Sequence, residues 1–209
     1  MARSKKTEGK ADGPIPNSKI DRIRKGADTK LAQKCRNYAH LLESGRVLSI
    51  DPSSGSAGSM PGFALFKGAT LLESGELVIK AGDINTRLYS LARCLREDFS
   101  EIDLLIVEDL PPFMQTRGST FRSKGTVNLH MSVGAIYSVF GYVPCIGVPP
   151  MAWHADERKL PFDYVKGDEN DALMLAYAAF TRAEIKPIGL LEHLEEKCRN
   201  AKGQTEIHS

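Results

Sequence analysis

Four acidic residues stand where carboxylates could act together: Asp51, Glu108, Asp168 and Asp171. Asp51 closes the apolar run "RVLSI", and Glu108 closes "IDLLIV". Asp168 and Asp171 open "DENDALMLAYAAFTRAEI", at a spacing that puts both on one face of a helix. Neighbouring strands lie about 4.8 Å apart, so acids at two strand ends can meet at one sheet edge. If the helix packs across that edge, four carboxylates converge. Alone they repel and raise one another's pKa values. Divalent cations resolve the conflict, because Mg2+ takes hard oxygen ligands and keeps several waters. Two such ions about 3.5–4 Å apart can activate a water and stabilise a leaving 3′-oxygen in phosphodiester hydrolysis.

Each acid also has a plain local role open to it. Asp51 before Pro52 can start a turn. Glu108-Asp109 can be a polar strand end before Pro111-Pro112. Asp168 can cap a helix with Asp171 in its first turn, where the helix dipole favours acids. The joint reading gains from the acids falling at three separate element ends.

The elements that would position them follow from the hydrophobic pattern. "RVLSI", "GFALF" and "GELVI" read as three strands, joined by tight turn signals at "KGAT" and "ESG". In "INTRLYSLARCLREDF", Leu88, Leu91, Leu95 and Phe99 recur at helical spacing. "IDLLIV" and "VPCIGV" read as buried parallel strands, with "VNLHMSVGAIYSVFG" a helix between them and "DENDALMLAYAAFTRAEI" the last helix, stopped before Pro187. The order β-β-β-α-β-α-β-α implies an antiparallel meander followed by right-handed crossovers in one α/β domain. Ahead of it, residues 1–19 read as disordered. "IDRIRKGADTKLAQKCRNYAHLLE" reads as one or two short basic helices, interrupted near Gly26.

Charge is uneven along the chain. Residues 1–46 hold 12 Lys/Arg against 5 Asp/Glu, whereas the whole 209-residue chain carries +2, so the body is mildly acidic. A basic arm suits a polyanionic partner, and equally a solvated tail. Cys35, Cys94, Cys145 and Cys198 form no C-x-x-C pair, which disfavours a zinc site or disulfide framework and predicts a reducing compartment. No apolar run approaches the ~20 residues of a membrane span. The N-terminus has no apolar signal-peptide core, so no secretion signal is expected.

With these motifs in place, the chain resembles RuvC-type Holliday-junction resolvases of the RNase H-like nuclease superfamily, from about Val47 to Thr181. "SIDPSSG...GFALF" resembles the family's first strand, "LLIVEDLP" its fourth, and "DENDALMLAYA" its D-x-x-D-A-L helix. The resemblance implies an RNase H-like mixed five-stranded sheet flanked by helices. It implies that Asp51, Glu108, Asp168 and Asp171 are catalytic ligands of two Mg2+ ions, with Mn2+ able to substitute. Asp109 and Glu169 fall at non-matching positions. The chain has Ser53 where the family usually has Gly, the insertion "GSAGSMP", and a short segment, "MAWHADERKLPFDYVKG", in place of a longer one with an extra helix. Trp153 reads as a packing anchor of that segment. The domain boundaries drawn are a basic, partly disordered arm 1–45, a nuclease domain 46–186 and a C-terminal tail 187–209.

The stretch after Glu108, "DLPPFMQTRGSTFRSKGTVNLH", sets Arg117, Arg122 and Lys124 among aromatics, where cations contact phosphates and aromatics stack on or wedge between bases. In the resembled family an aromatic of this loop enters the junction, and Phe113 is the nearest equivalent; plugging the core edge is its ordinary role. The next helix resembles the family's dimer helix, and a two-fold dimer would offer two sites to a two-fold-symmetric junction. His130 and His154 sit on no motif and read as structural or surface residues. The expected function is a cytoplasmic, Mg2+-dependent endonuclease, a homodimer acting on branched DNA in a bacterial or phage-infected cell. The alternatives are an RNA-processing or single-nick nuclease of the same superfamily, an actin-like ATP-binding protein, for which the chain is too short and lacks a second Gly-rich loop, and a non-catalytic DNA-binding module, which four acids facing phosphate disfavour.

Overall fold

The runs "RVLSI", "GFALF", "IDLLIV" and "VPCIGV" all become strands of one sheet in the computed structural model, which describes residues 17–52, 60–109 and 124–206. The strands are β1 (Arg46–Asp51), β2 (Gly62–Lys67), β3 (Thr70–Glu76), β4 (Leu104–Glu108) and β5 (Cys145–Val148), in the order β3-β2-β1-β4-β5. β2 pairs antiparallel with β1 and β3, while β4 pairs parallel with β1 and β5. This is the mixed five-stranded α/β sheet expected above: a meander joined to parallel strands.

The third strand lies earlier than "GELVI". The hairpin turns at Gly68, whose φ of 56° is left-handed, and Thr70 pairs at once with Lys67. "TLLESGE" therefore forms the strand, and "ESG" lies inside it rather than in a turn. A sheet-edge position tolerates its polar residues, since most of β3 is at least partly exposed. Leu77 and Ile79 are buried beyond the strand end, where Leu77 N–H donates to the Pro61 carbonyl at 2.8 Å.

Helices cover both faces, which is why β1 and β4 are apolar without alternation. On one face lie α3 (Ile84–Asp98), capped by Asp83 accepting from Thr86 N–H at 2.8 Å, and α4 (Lys124–Phe140). Their Leu91, Leu95, Ile136 and Phe140 pack on Leu48, Ile50, Leu105 and Val107. The other face carries α6 (Asp168–Arg182), whose Ala172, Ala176 and Ala179 are fully buried over Val47, Ala64, Leu104 and Ile106.

Four more helices join this second face. α1 (Asn17–Asn37) runs through Gly26 without a break, and a short α2 (Ala39–Ser44) follows it. α5 (Pro150–Glu157) forms within the short segment after β5, and α7 (Leu190–Glu206) follows α6. Leu31, Cys35 and Leu42 on one side, and Leu190, Leu194 and Cys198 on the other, lie in the same cluster as the sheet. Helix residues beyond both drawn boundaries, 45 and 187, thus share its core. The expected disorder of residues 1–19 falls mostly outside the described residues, and residues 17–19 are helical. Among the described residues no helix is long and apolar enough to cross a membrane.

Candidate functional site

Strand alternation decides which face the strand-end acids occupy. Val47 and Ser49 face α6, and Asp51 follows them at the same two-residue period. On β4, Leu104 and Ile106 face α6, and Glu108 follows. The parallel register pairs Ile50 with Val107, so the next rung carries Asp51 on one strand and Glu108 on the other. Both strand-end acids therefore lie at one sheet edge on the α6 side.

Two contacts bring the start of α6 to that edge. Buried Ser49 donates its hydroxyl to the Ala172 carbonyl at 2.7 Å, fixing the first turn over β1. Gly62, paired with Asp51 on β2, has the Asp168 backbone laid against it. A Cβ at Gly62 would stand 1.7 Å from the Asp168 carbonyl oxygen, so only glycine allows this approach. The first turn holds Asp168, Glu169 and Asp171, acids that the positive end of the helix dipole favours.

The acids sense one another. Burial, and then the Asp171 charge, raise the Glu108 carboxyl above its ordinary value; Trp153 and His154 oppose the shift. Burial, and then the Asp168 charge, raise Asp171, opposed by Tyr164, His154 and Lys166. Three of the carboxylates accept a bond from an uncharged donor. Trp153 Nε1 donates to Glu108 Oε1 at 3.3 Å, Met60 N–H to Asp168 Oδ2 at 3.2 Å, and the Tyr164 hydroxyl to Asp171 Oδ1.

The acids at non-matching positions have other work. Glu169 accepts from Ser74 at 2.6 Å and from Lys197 at 2.9 Å, tying β3 and α7 to α6. Burial raises its carboxyl, but those bonds prevail and hold it below its ordinary value. Asp109 packs on Gly147, where an added Cβ would stand 2.9 Å from the aspartate Cβ. Phe113, Arg117 and Arg122 lie outside the described residues, as do Ser53 and most of the "GSAGSMP" insertion. Lys124 is the first residue of α4, and His130 lies further along it.

Three side chains lie near the acids without sequence reasoning having placed them there. Trp153 is buried as an anchor should be, but its N–H reaches Glu108. His154 stacks on Trp153 with ring centroids 3.7 Å apart and bonds Glu157 through Nδ1 at 2.9 Å. Tyr164 carried no motif, and its partner is set by loop geometry.

A hard divalent cation suits the donor set by type, since all four acids offer oxygen and two of them carry raised pKa values that a cation would lower. Among the described residues no three His, Cys, Asp or Glu side chains are grouped to hold an ion. In sequence, no protein family and no curated protein matches the chain. Among solved structures it is similar to Thermus thermophilus RuvC, at 18% identity and a TM-score of 0.41, over 66% of this chain and 96% of that one. A likeness at that level carries no residue role across.

Proposed function

We propose that this chain is a divalent-cation-dependent DNA endonuclease of the RuvC type, resolving four-way or otherwise branched DNA by paired phosphodiester hydrolysis. The observation that carries the reading is the meeting of three element ends, bearing Asp51, Glu108, Asp168 and Asp171, on one face at one sheet edge. Burial first, and a neighbouring acid after it, raise the carboxyls of Glu108 and Asp171, as carboxyls at functional sites are often raised. Nuclease chemistry needs acids on neighbouring element ends, because the cation has to be held by several oxygens at once.

In this reading Asp51, Glu108, Asp168 and Asp171 hold two Mg2+ ions, for which Mn2+ substitutes. When bound, the ions supply Lewis acidity at the phosphate and an acidified water. The protein's part is orientation and burial. Trp153 and Tyr164 fix one oxygen each of Glu108 and Asp171, and the α6 N-terminus offsets the acids' charge.

DNA contact falls in this reading to Phe113, Arg117, Arg122 and Lys124, and to the basic arm 1–45 ahead of the nuclease domain 46–186 and the tail 187–209. α4 suits a homodimer. Its Ile136, Val139 and Phe140 face the core, while Val127, Met131 and Tyr137 are exposed and Gly134 borders open space. A cytoplasmic location goes with a DNA substrate.

The test is a cleavage assay in Mg2+ on a four-way junction, a flap, a linear duplex and structured RNA. Symmetric paired cuts in the junction are expected. Cleavage of RNA alone would move the chain to the RNA-processing branch, and no cleavage of any substrate would defeat the nuclease reading.

A further inference from the structure

The segment between β5 and α6 sends two uncharged donors to two of the four acids. Trp153, 4% exposed on α5, bonds Glu108, and Tyr164, on the loop that follows, bonds Asp171. Both are anchored from outside the site. Arg182, at the end of α6, pairs with Asp156 one turn along from Trp153 and also reaches the Ala152 carbonyl at 3.4 Å. Beside Tyr164, Val165 N–H meets Cys198 Sγ at 3.3 Å, and its carbonyl accepts from Asn170 at 2.8 Å.

The kind of donor is informative because the same fold treats other acids differently. Asp156, also 4% exposed, is paired with Arg182 and Lys159, and Glu169 is paired with Lys197. Among the described residues no lysine or arginine bonds Glu108 or Asp171; Lys166 and His154 act on Asp171 only across space. A guanidinium or ammonium would neutralise the carboxylate and compete with any cation. An indole N–H or a phenol fixes its orientation and leaves the charge in place. Tyr164 meets Asp171 through a phenol hydroxyl, a donor that carries no charge.

We propose that Trp153 and Tyr164 are positioning residues that hold Glu108 Oε1 and Asp171 Oδ1, leaving the second oxygen of each to turn toward a divalent cation. The inference rests on the metal-dependent reading above. Partners behind a ligand typically set metal affinity by about 10–100-fold.

The experiment uses full-length protein without DNA. Mn2+ affinity is measured by calorimetry for wild type and for Tyr164→Phe, which removes only the hydroxyl. Trp153 is the single tryptophan of the chain, so its emission reports on the Glu108 bond while Mg2+ is titrated. Expected are Mn2+ binding about 10–100-fold weaker in Tyr164→Phe, and a Mg2+-induced change in Trp153 emission that Glu108→Gln abolishes. Unchanged Mn2+ affinity in a folded Tyr164→Phe overturns the inference alone. If that variant does not fold, the wild-type titration decides: emission that stays constant while Mg2+ saturates overturns it. A wild type that binds neither ion defeats the metal-dependent reading itself.

Discussion

Gly62 lies against the Asp168 backbone so closely that a Cβ on the glycine would stand 1.7 Å from the aspartate carbonyl oxygen. Because Gly62 also pairs with Asp51, this one contact sets the distance between the first strand's acid and the acids of α6. The glycine's small size is thus a condition of the site. Gly62→Ala should displace the start of α6, with an overpacking cost of about 1–3 kcal/mol, and remove cleavage. Gly26→Ala is the control: nothing lies within 4 Å of the added carbon, and α1 should gain about 1 kcal/mol. Thermal melts and the junction assay check both. A Gly62→Ala protein with full activity would mean that the α6 acids do not depend on this approach.

A second expectation concerns pH. Burial first, then a neighbouring acid, hold the carboxyls of Glu108 and Asp171 above the ordinary range. The folded state binds these protons more tightly than the unfolded chain. The stabilisation is therefore complete below the ordinary carboxylate range and is lost as pH rises through the raised folded values. At neutral pH both charges cost stability in the cation-free protein. Glu108→Gln and Asp171→Asn keep an acceptor oxygen for Trp153 and Tyr164. Each should raise the cation-free Tm at pH 7 by about 2–4 °C, the effect of about 1 kcal/mol in a chain of this size. The gain should shrink toward pH 4, and Mg2+ should stabilise wild type more than either variant. A lower Tm for both variants at pH 7 would assign the carboxylates a structural role.

Much of this was legible in the sequence, and the gaps have physical causes. Asp51 and Glu108 stood out as candidates because each closes a mostly apolar run, and Asp168 and Asp171 because the helix spacing puts them on one face. β3 was misplaced because an edge strand needs little apolar character, so the polar "ESG" resembled a turn. α5 is only eight residues long, too short to show a period. The partnership of Tyr164 with Asp171 depends on a loop path that no local pattern encodes. α7 did leave a signal, since Leu190, Leu194 and Cys198 recur every four residues and all three are buried.

The N-terminal segment divides into parts with different consequences. Removing residues 1–16 takes away basic residues but leaves α1 and its buried side chains in place. Removing residues 1–45 also deletes Leu31, Cys35 and Leu42, all buried against the sheet and α6. Loss of buried side chains of this kind costs about 2–5 kcal/mol each. The shorter deletion should fold normally and bind DNA more weakly, with a shallower salt dependence. The longer one should be insoluble or melt far lower. Equal melting temperatures for the two would mean that α1 adds nothing to the core.

Association should respond to a single charge on α4. Gly134 has open space where a side chain would go, beside exposed Val127, Met131 and Tyr137. Gly134→Glu should fold as well as wild type, with up to about 1 kcal/mol gained from helix propensity, and should run as a monomer in sedimentation. That monomer should nick a junction on one strand and rarely make paired cuts. A dimer that persists in the Gly134→Glu variant would move the interface to another face.

The most direct measurement compares wild type with Asp51→Asn on one four-way junction, scoring binding and Mg2+-dependent cleavage on the same samples. Wild type should make symmetric paired cuts that chelation of the metal stops. Asp51→Asn should not cut, yet should bind the junction at least as tightly, because a charge that repels phosphate has gone. Cleavage that survives the substitution, or a folded variant that loses binding along with cleavage, would contradict a metal-dependent nuclease site built on Asp51.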